Sequence, residues 1–453
     1  MTYRVTSPDA KRLKLRRGLD LPIPGVPTQV IEAAAEPRSV ALLGDDYPEQ
    51  RFSLRVREGD RVRTGEALFT DRRNRDVKFV SPAAGTVAAI RRGDARRLVS
   101  VVVEREGVDS VEYARATLGE VRAWTGEQTA QRLLEAGDWV ALRARPFGSL
   151  AAPGTRPAAI FVRAMDSSPL AADAAVVVRE RLEDLQLGLT ALSRLTDGPL
   201  YLCSRAGTLE TLPDVERLKA VEVAGPHPAG LIGTQVHRLF PVSRDRRVWY
   251  VGYQDVLAIG HLLREGRPDT SRIISLAGPA VRRPRLVRTE IGASSEDLVS
   301  GELDVEPCRV ISGSVLSGRT ALDPGAFLGR YHEQLCAIPE RTLEPARAWW
   351  VPRFGGLRRV PGWRAAPEWS TGIHSEPSRF VPLDLFDRVN PLRLPLSPLL
   401  RALAAGDAAT AATFGALELE EEDLALATYL CPAKLDYGPL LRSVLEELRQ
   451  SLP

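Results

Sequence analysis

Between residues 58 and 87 the chain turns sharply at short intervals, and this limits what it can fold into. Glu58-Gly59-Asp60-Arg61-Val62-Arg63-Thr64-Gly65-Glu66-Ala67-Leu68 is followed by Ser81-Pro82-Ala83-Ala84-Gly85-Thr86-Val87. Gly59 and Gly65 suit tight turns, because glycine reaches positive φ without steric cost. Val62 and Leu68 then face a core from short strands with alternating side chains. The flanking runs agree. Ser39–Leu43, Phe52–Val56, Ala67–Phe69, Lys78–Val80, Gly85–Ile90 and Leu98–Glu104 read as strands, separated by Gly59-Asp60, Gly65-Glu66, Gly85 and Gly93-Asp94.

This G-D-x-V-x-x-G-x-x-L and P-x-x-G-x-V pattern resembles the biotinyl/lipoyl type of barrel. A carrier of that type needs a lysine at the hairpin tip, where its amine is the attachment point. Here the tip reads Asp71-Arg72-Arg73-Asn74-Arg75-Asp76, and Lys78 lies beyond it. The expectation is a structural barrel rather than a swinging arm.

Other patterns follow downstream. Pro22, Pro24 and Pro27 deny helix and ladder to the opening segment, which is expected to wrap over a surface. Helical spacing over Gly126–Ala136 and Ala174–Gly188 alternates with apolar strands at Ala158–Val162 and Pro199–Cys203. Val248–Gly252 and Asp255–Leu263 continue the alternation, which predicts an α/β layer. A small α+β unit follows, with strands at Ile273–Leu276 and Cys308–Ser312 and a short helix capped by a serine near 294. Residues 341–380 are rich in Pro, Trp and Arg and have no clear period. From Pro395 onward the pattern is helical: Leu399–Ala405, Asp407–Phe414, Glu421–Thr428 and Tyr437–Leu448.

Composition narrows the function. A net charge of +3 over 453 residues argues against nucleic-acid binding. The charge is uneven, basic in residues 1–110 and acidic in 401–453, which suits docking to partners or to an anionic surface. Cys203, Cys308, Cys336 and Cys431 are scattered, with no C-x-x-C, so neither a disulfide scaffold nor an iron–sulfur site is expected. No apolar run approaches the ~18 residues of a membrane span. The basic start lacks the apolar region of a secretory signal.

Few residues suggest chemistry. In Val223-Ala224-Gly225-Pro226-His227-Pro228-Ala229-Gly230-Leu231-Ile232-Gly233 two prolines lock the backbone around His227. A rigid packing turn and a loop that admits a ligand closely both fit. The loop is not a G-x-G-x-x-G phosphate fingerprint. His227, His237, His261, His332 and His374 have no zinc-like spacing. Ser312-Gly313-Ser314-Val315-Leu316-Ser317-Gly318 reads as a turn. Glu418-Leu419-Glu420-Glu421-Glu422-Asp423-Leu424 gathers acid before a helix, where the helix dipole favours it. Docking on a partner's basic face is the rival reading.

Collinear segments carry a broader resemblance. They include Arg17-Gly18-Leu19-Asp20-Leu21-Pro22-Ile23, Ile160-Phe161-Val162-Arg163-Ala164-Met165-Asp166 and Leu192-Ser193-Arg194-Leu195-Thr196-Asp197-Gly198. Val251-Gly252-Tyr253-Gln254-Asp255-Val256, Ser275-Leu276-Ala277-Gly278-Pro279, the 309–318 stretch and Leu328-Gly329-Arg330-Tyr331-His332 continue the series. With these, the chain resembles the NqrA subunits of the sodium-translocating NADH:quinone oxidoreductases over nearly its whole length. The 341–375 stretch matches least.

The resemblance implies a multidomain α/β and α+β architecture. An N-terminal wrapping segment (1–37) precedes a barrel-sandwich hybrid (38–110) and a Rossmann-like α/β domain (111–268). An SLBB, β-grasp-like domain (269–340), an irregular connection (341–394) and a C-terminal helical domain (395–453) follow. It also implies a subunit with no cofactor of its own, on the cytoplasmic side of the cell membrane, docked on the membrane subunit NqrB. FMN, riboflavin and iron–sulfur centres are then expected in other subunits, and ubiquinone is the substrate of the complex. Gly225, Pro226, His227, Pro228 and Gly230 become the candidate quinone contacts, with His227 as hydrogen-bond donor. The alternatives are an RnfC-like component of an Rnf electron-transport complex, which carries cluster cysteines that this chain lacks, and a pure docking scaffold.

Overall fold

The computed structural model describes residues 11–48, 50–205, 214–341, 369–372 and 384–451. Its central element is a seven-stranded sheet in the order Lys11–Lys14, Leu218–Ala224, Leu200–Arg205, Ala159–Ala164, Val248–Gly252, Arg143–Arg145 and Ser149–Leu150. The first five strands are parallel, and a short antiparallel hairpin closes the far edge. The chain runs outward from 159–164 through 200–205 to 218–224, then returns to the other side of 159–164 at 248–252. Such a reversal makes the crevice between 159–164 and 248–252 the place where doubly wound sheets hold ligands.

Both faces are covered, as the near-continuous apolar strands require. Ile160, Val162, Leu200, Leu202, Trp249 and Val251 pack under helices Gly126–Ala136, Leu182–Arg194 and Tyr253–Glu265. Phe161, Tyr201, Val221 and Val223 pack under helix Ile232–Leu239.

The expected Ala174–Gly188 helix is two helices, Ala174–Val178 and Leu182–Arg194. Val176, Val177 and Val178 are stiff, β-branched residues that favour helix weakly. Arg181 then leaves helical geometry (φ −137°), and its guanidinium reaches Asp184 and Asp269. Gly188 does not stop the second helix. A Cβ there would lie 2.1 Å from the Val256 carbonyl oxygen, so glycine serves close helix packing.

The barrel pairs a four-stranded sheet (Ser39–Leu43, Leu98–Arg105, Gly85–Arg92, Arg61–Val62) with a three-stranded one (Phe52–Leu54, Ala67–Asp71, Lys78–Val80). Val62 and Leu68 are buried in its core with Phe69 and Phe79, and Gly59 and Gly65 take positive φ. A six-stranded sheet, ordered Arg319–Thr320, Cys308–Ser312, Gln334–Pro339, Ser271–Ala277, Arg285–Glu290 and Thr28–Ala33, carries helix Ser295–Val299, whose N-cap is Ser294. The opening segment therefore adds an edge strand to each of two sheets, Lys11–Lys14 to one and Thr28–Ala33 to the other.

Helices Leu396–Ala405, Ala408–Thr413, Ala425–Leu430 and Tyr437–Gln450 bury Leu399, Leu403, Leu441 and Leu445 together. Residues 342–368 and 373–383 of the expected irregular connection lie outside the described residues, and its end forms helix Asp384–Val389. No helix among the described residues is long and apolar enough to cross a membrane.

Candidate functional site

The Gly225–Gly230 loop joins strand Leu218–Ala224 to helix Ile232–Leu239 at the C-terminal rim of the parallel sheet. Two segments clamp it. The opening segment supplies one wall: Leu15 N–H donates to the Ala224 carbonyl (2.8 Å), Leu19 N–H to the His227 carbonyl (2.8 Å), and Asp20 accepts the His227 N–H (2.8 Å). The turn after strand Ala159–Ala164 supplies the other, where Gly230 N–H donates to Ser167 Oγ (2.7 Å). Gly225 takes φ +144°, and a Cβ on Gly230 would lie 2.3 Å from Ser167 N. The His227–Pro228 peptide is cis.

His227 is 2% exposed. Its Nδ1 lies 3.1 Å from Ser167 Oγ. That oxygen already accepts from Gly230; when its own proton is given to Nδ1, Nδ1 accepts and Nε2 carries the ring hydrogen. Burial lowers the His227 pKa against the opposing pull of Asp166, Asp20 and the Ser167 backbone, which disfavours the charged ring. Nε2 itself is buried without a hydrogen-bond partner. In that tautomer Nε2 is a donor lacking an acceptor, of the kind a carbonyl oxygen satisfies.

The switch-point crevice is filled by the chain itself. Arg163, near the end of its strand, pairs with Asp166 (3.1 Å) and Glu333 (3.5 Å), and Gln254 Nε2 donates to Glu333 (3.3 Å). Burial pushes Glu333 up to about 7, with Arg163 opposing. Burial and then Asp423 push Glu422 up to about 7. The turn Ala164–Asp173 contains no glycine. Carboxyl groups thus stand where a dinucleotide would place its phosphates, and no glycine loop is there to cradle them.

The acidic stretch turns inward rather than toward a partner. Arg145 is 1% exposed and binds Glu420 (3.0 Å) and Asp423 (2.8 Å). Arg143 binds Glu420 (3.1 Å), and Tyr250 Oη donates to the same carboxylate (2.6 Å). Glu421 pairs with Arg442 (2.5 Å), and Glu418 accepts from His237 Nδ1 (2.8 Å), whose Nε2 accepts the Arg393 N–H (2.9 Å). These contacts favour a structural reading of the stretch over its rival, a partner's basic face, because the chain's own arginines meet the acids.

The network runs on. The Arg143 guanidinium lies over Tyr250 (5.1 Å) and Tyr331 (5.0 Å), and Arg330 over Tyr331 (5.4 Å). Arg330 pairs with Asp255 (2.8 Å), while its backbone N–H and Arg319 bind Asp46 (2.8 and 2.6 Å). One chain of buried charges and rings thereby links the C-terminal helices, both large sheets and the barrel. Sequence reasoning overlooked it. The available signal was two arginines alternating in the strand Arg143–Arg145.

The other candidates are dispersed. His261 lines a cleft of about 570 Å³ beside helix Leu182–Arg194; a neighbouring cleft of about 430 Å³ includes Arg115 and Glu120. Neither cleft includes the Gly225–Gly230 loop. His332 Nδ1 lies 2.9 Å from Ser312 Oγ, and burial lowers His332 to about 4. His374 lies outside the described residues. Cys203, Cys336 and Cys431 are buried and Cys308 is half-buried, all as free thiols. Among the described residues no group of three His, Cys, Asp or Glu is placed to hold a metal.

Comparison with known proteins decides the family. Residues 13–106 match the NqrA N-terminal barrel-sandwich hybrid domain, 124–268 the NqrA second alpha/beta domain, and 273–323 the NQRA C-terminal domain, an SLBB unit. The chain is 44% identical over 444 residues to the NqrA subunit of the Na(+)-translocating NADH-quinone reductase of Yersinia pestis bv. Antiqua (strain Angola), covering 97% of this chain and 99% of that one. The corresponding subunits of Actinobacillus pleuropneumoniae serotype 5b (strain L20) and Pasteurella multocida (strain Pm70) are likewise 44% identical, with the same coverage.

The chain belongs to the NqrA family of Na(+)-translocating NADH-quinone reductase subunits.

It is thus one part of an enzyme that links NADH oxidation, quinone reduction and sodium transport. The expected barrel-sandwich, α/β and SLBB folds are all present. Chains of the NAD+-reducing NiFe-hydrogenase in its H2-reduced and air-oxidized states align at TM-scores of 0.34 and 0.35 with 14% and 13% identity. The alignments cover 51% and 76% of this chain, and 52% and 67% of those.

Proposed function

We propose that this protein serves the reductase without holding a redox group. In this reading it docks on the membrane subunit NqrB from the cytoplasmic side and offers the Gly225–Gly230 loop to ubiquinone. Its domains divide at 38–110, 111–268, 269–340 and 395–453, and FMN, riboflavin and iron–sulfur centres reside in other subunits. The observation that carries the reading is His227 Nε2, a buried neutral donor without a partner. A quinone carbonyl is an acceptor without a proton of its own, so the match is one of hydrogen-bond type. Gly225, Pro226, Pro228 and Gly230 set the backbone that holds the ring, and a locked ring binds at lower entropic cost.

The test uses the whole complex carrying His227→Ala or His227→Gln. Losing one neutral hydrogen bond weakens binding by about 1 kcal/mol, roughly fivefold. The quinone KM is expected to rise by that factor in His227→Ala and to recover in His227→Gln, which keeps a donor. NADH oxidation by a soluble electron acceptor should not change. Unaltered quinone KM and inhibitor affinity in His227→Ala would leave the chain as a docking scaffold.

A further inference from the structure

The C-terminal rim of the seven-stranded sheet carries positive charge that no described residue pairs with. Strand Lys11–Lys14 is the sheet's edge, in parallel register with Leu218–Ala224: Leu13 lies beside Val223 and Lys14 beside Ala224. Leu13 and Leu15 are buried in the core under helix Ile232–Leu239. Side chains alternate along a strand, so burying these leucines holds Lys14 and Arg16 on the opposite side, roughly 7 Å apart. Arg17 follows beside the Gly225–Gly230 loop, where Gly18 packs against Pro226. Arg205 ends the next strand but one, in register with Val223 and so on the face of Leu13, across the rim from Lys14 and Arg16.

Lys14, Arg16, Arg17 and Arg205 are all exposed. The nearby carboxylates among the described residues already have partners: Glu222 pairs with Arg12 (3.0 Å), Asp20 accepts the His227 N–H (2.8 Å) and Asp166 pairs with Arg163 (3.1 Å). None of the four cations makes an ion pair among the described residues, whereas Arg12 beside them does.

We propose that this rim docks on an anionic phospholipid surface. The cations stand at the ends of two strands, Lys14, Arg16 and Arg17 at one and Arg205 at the other, rather than converging on one cavity. That spacing suits an array of phosphates, which guanidinium groups grip through two hydrogen bonds each. An acidic strand adding to the sheet would use only the outer edge at 11–14, whereas Arg16 and Arg17 stand beyond that ladder's last rung and Arg205 lies two strands inward. The chain's family works in a sodium-translocating complex, which must lie in a membrane. The proposal does not require His227 to touch quinone.

The purified full-length chain is to be sedimented with vesicles of equimolar phosphatidylglycerol and phosphatidylcholine, and with phosphatidylcholine alone. Binding is expected only to the anionic vesicles and is expected to vanish at high salt. At about fivefold per cation, the variant Lys14→Gln/Arg16→Gln/Arg17→Gln should bind about a hundredfold more weakly. Lys14→Arg/Arg16→Lys/Arg17→Lys, which keeps the charge, should bind like the parent, and so should His227→Ala. Three results would overturn the proposal: no binding to anionic vesicles, equal binding to both kinds, or a glutamine variant that binds like the parent. Loss of the glutamine variant from the assembled complex, with no vesicle binding by the parent, would assign the rim to an acidic protein face instead.

Discussion

Replacing Arg145 by methionine isolates what the buried ionic chain does. The guanidinium is 1% exposed and serves Glu420 at 3.0 Å, Asp423 at 2.8 Å and the Glu418 carbonyl at 2.8 Å. Without it Glu420 keeps Arg143 and the Tyr250 hydroxyl, while Asp423 keeps only the Glu420 N–H (2.9 Å). Breaking a buried pair on one side costs about 3–5 kcal/mol. Asp423 has another escape, which is to bind a proton, and its cost depends on pH. From an ordinary carboxyl pKa near 3.9, that costs about 4 kcal/mol at pH 7 and about 1.5 at pH 5. In the variant the folded state holds a proton that the unfolded state has released, so stability must rise as pH falls. Hydrogen exchange of helix Tyr437–Gln450, relative to the parent at each pH, reads this directly. Exchange should accelerate by about two to three orders of magnitude at pH 7 and only about tenfold at pH 5. Equal acceleration at both pH values would refute the buried-charge argument. A mere severalfold change at pH 7 would show that the cluster is well solvated.

Three further outcomes follow from the geometry. Gly230→Ala places a Cβ 2.3 Å from Ser167 N, so a backbone must shift; thermal melting should show about 1–3 kcal/mol lost, as overpacking costs. Ser167→Ala removes the hydroxyl that holds His227 Nδ1 as acceptor. Nuclear magnetic resonance of the labelled ring should then show mixed tautomers, while the parent shows the Nε2–H form alone. Glu333 is held up to about 7 by burial, so the folded state binds a proton that the unfolded state loses above its ordinary range. Its contribution to stability is therefore complete at low pH and lost as pH rises toward 7. Glu333→Gln should flatten the melting-temperature profile between about pH 5 and 7.

What the sequence revealed depended on how local the cause was. Gly59 and Gly65 mark the barrel because a turn is decided by adjacent residues, and Ser294 marks a helix start through Asp297 three positions on. The C-terminal helices were readable from leucines at helical spacing, since Leu441, Val444, Leu445 and Leu448 bury one face. The helical spacing over Ala174–Gly188 stops short of Arg194; Gly188 lies inside the helix because it packs closely on Val256, a neighbour that spacing does not show. Pro226 and Pro228 drew attention to His227, but its partners Ser167 and Asp20 lie 60 and 207 positions away. Arg145 and Asp423 are 278 positions apart, and no periodicity links residues at that distance.

The kind of contact at the junction matters for how the protein is built. Apolar cores are tolerant of sliding, because burial has no preferred direction. The C-terminal helices have such a core of their own around Leu399 and Leu441. Their seat on the rest of the chain is different: Glu420 and Asp423 must meet the guanidinium groups of Arg143 and Arg145, and those groups accept carboxylates in few orientations. Arg143 is in turn sandwiched between Tyr250 of one sheet and Tyr331 beside the other, and Arg330 passes the constraint to Asp46 in the barrel. Buried ions of this kind contribute little net stability compared with apolar substitutes. What they contribute is register, since a small displacement strands charges without partners. A chain that works as one subunit of a larger enzyme gains more from fixed register than from a few extra kilocalories.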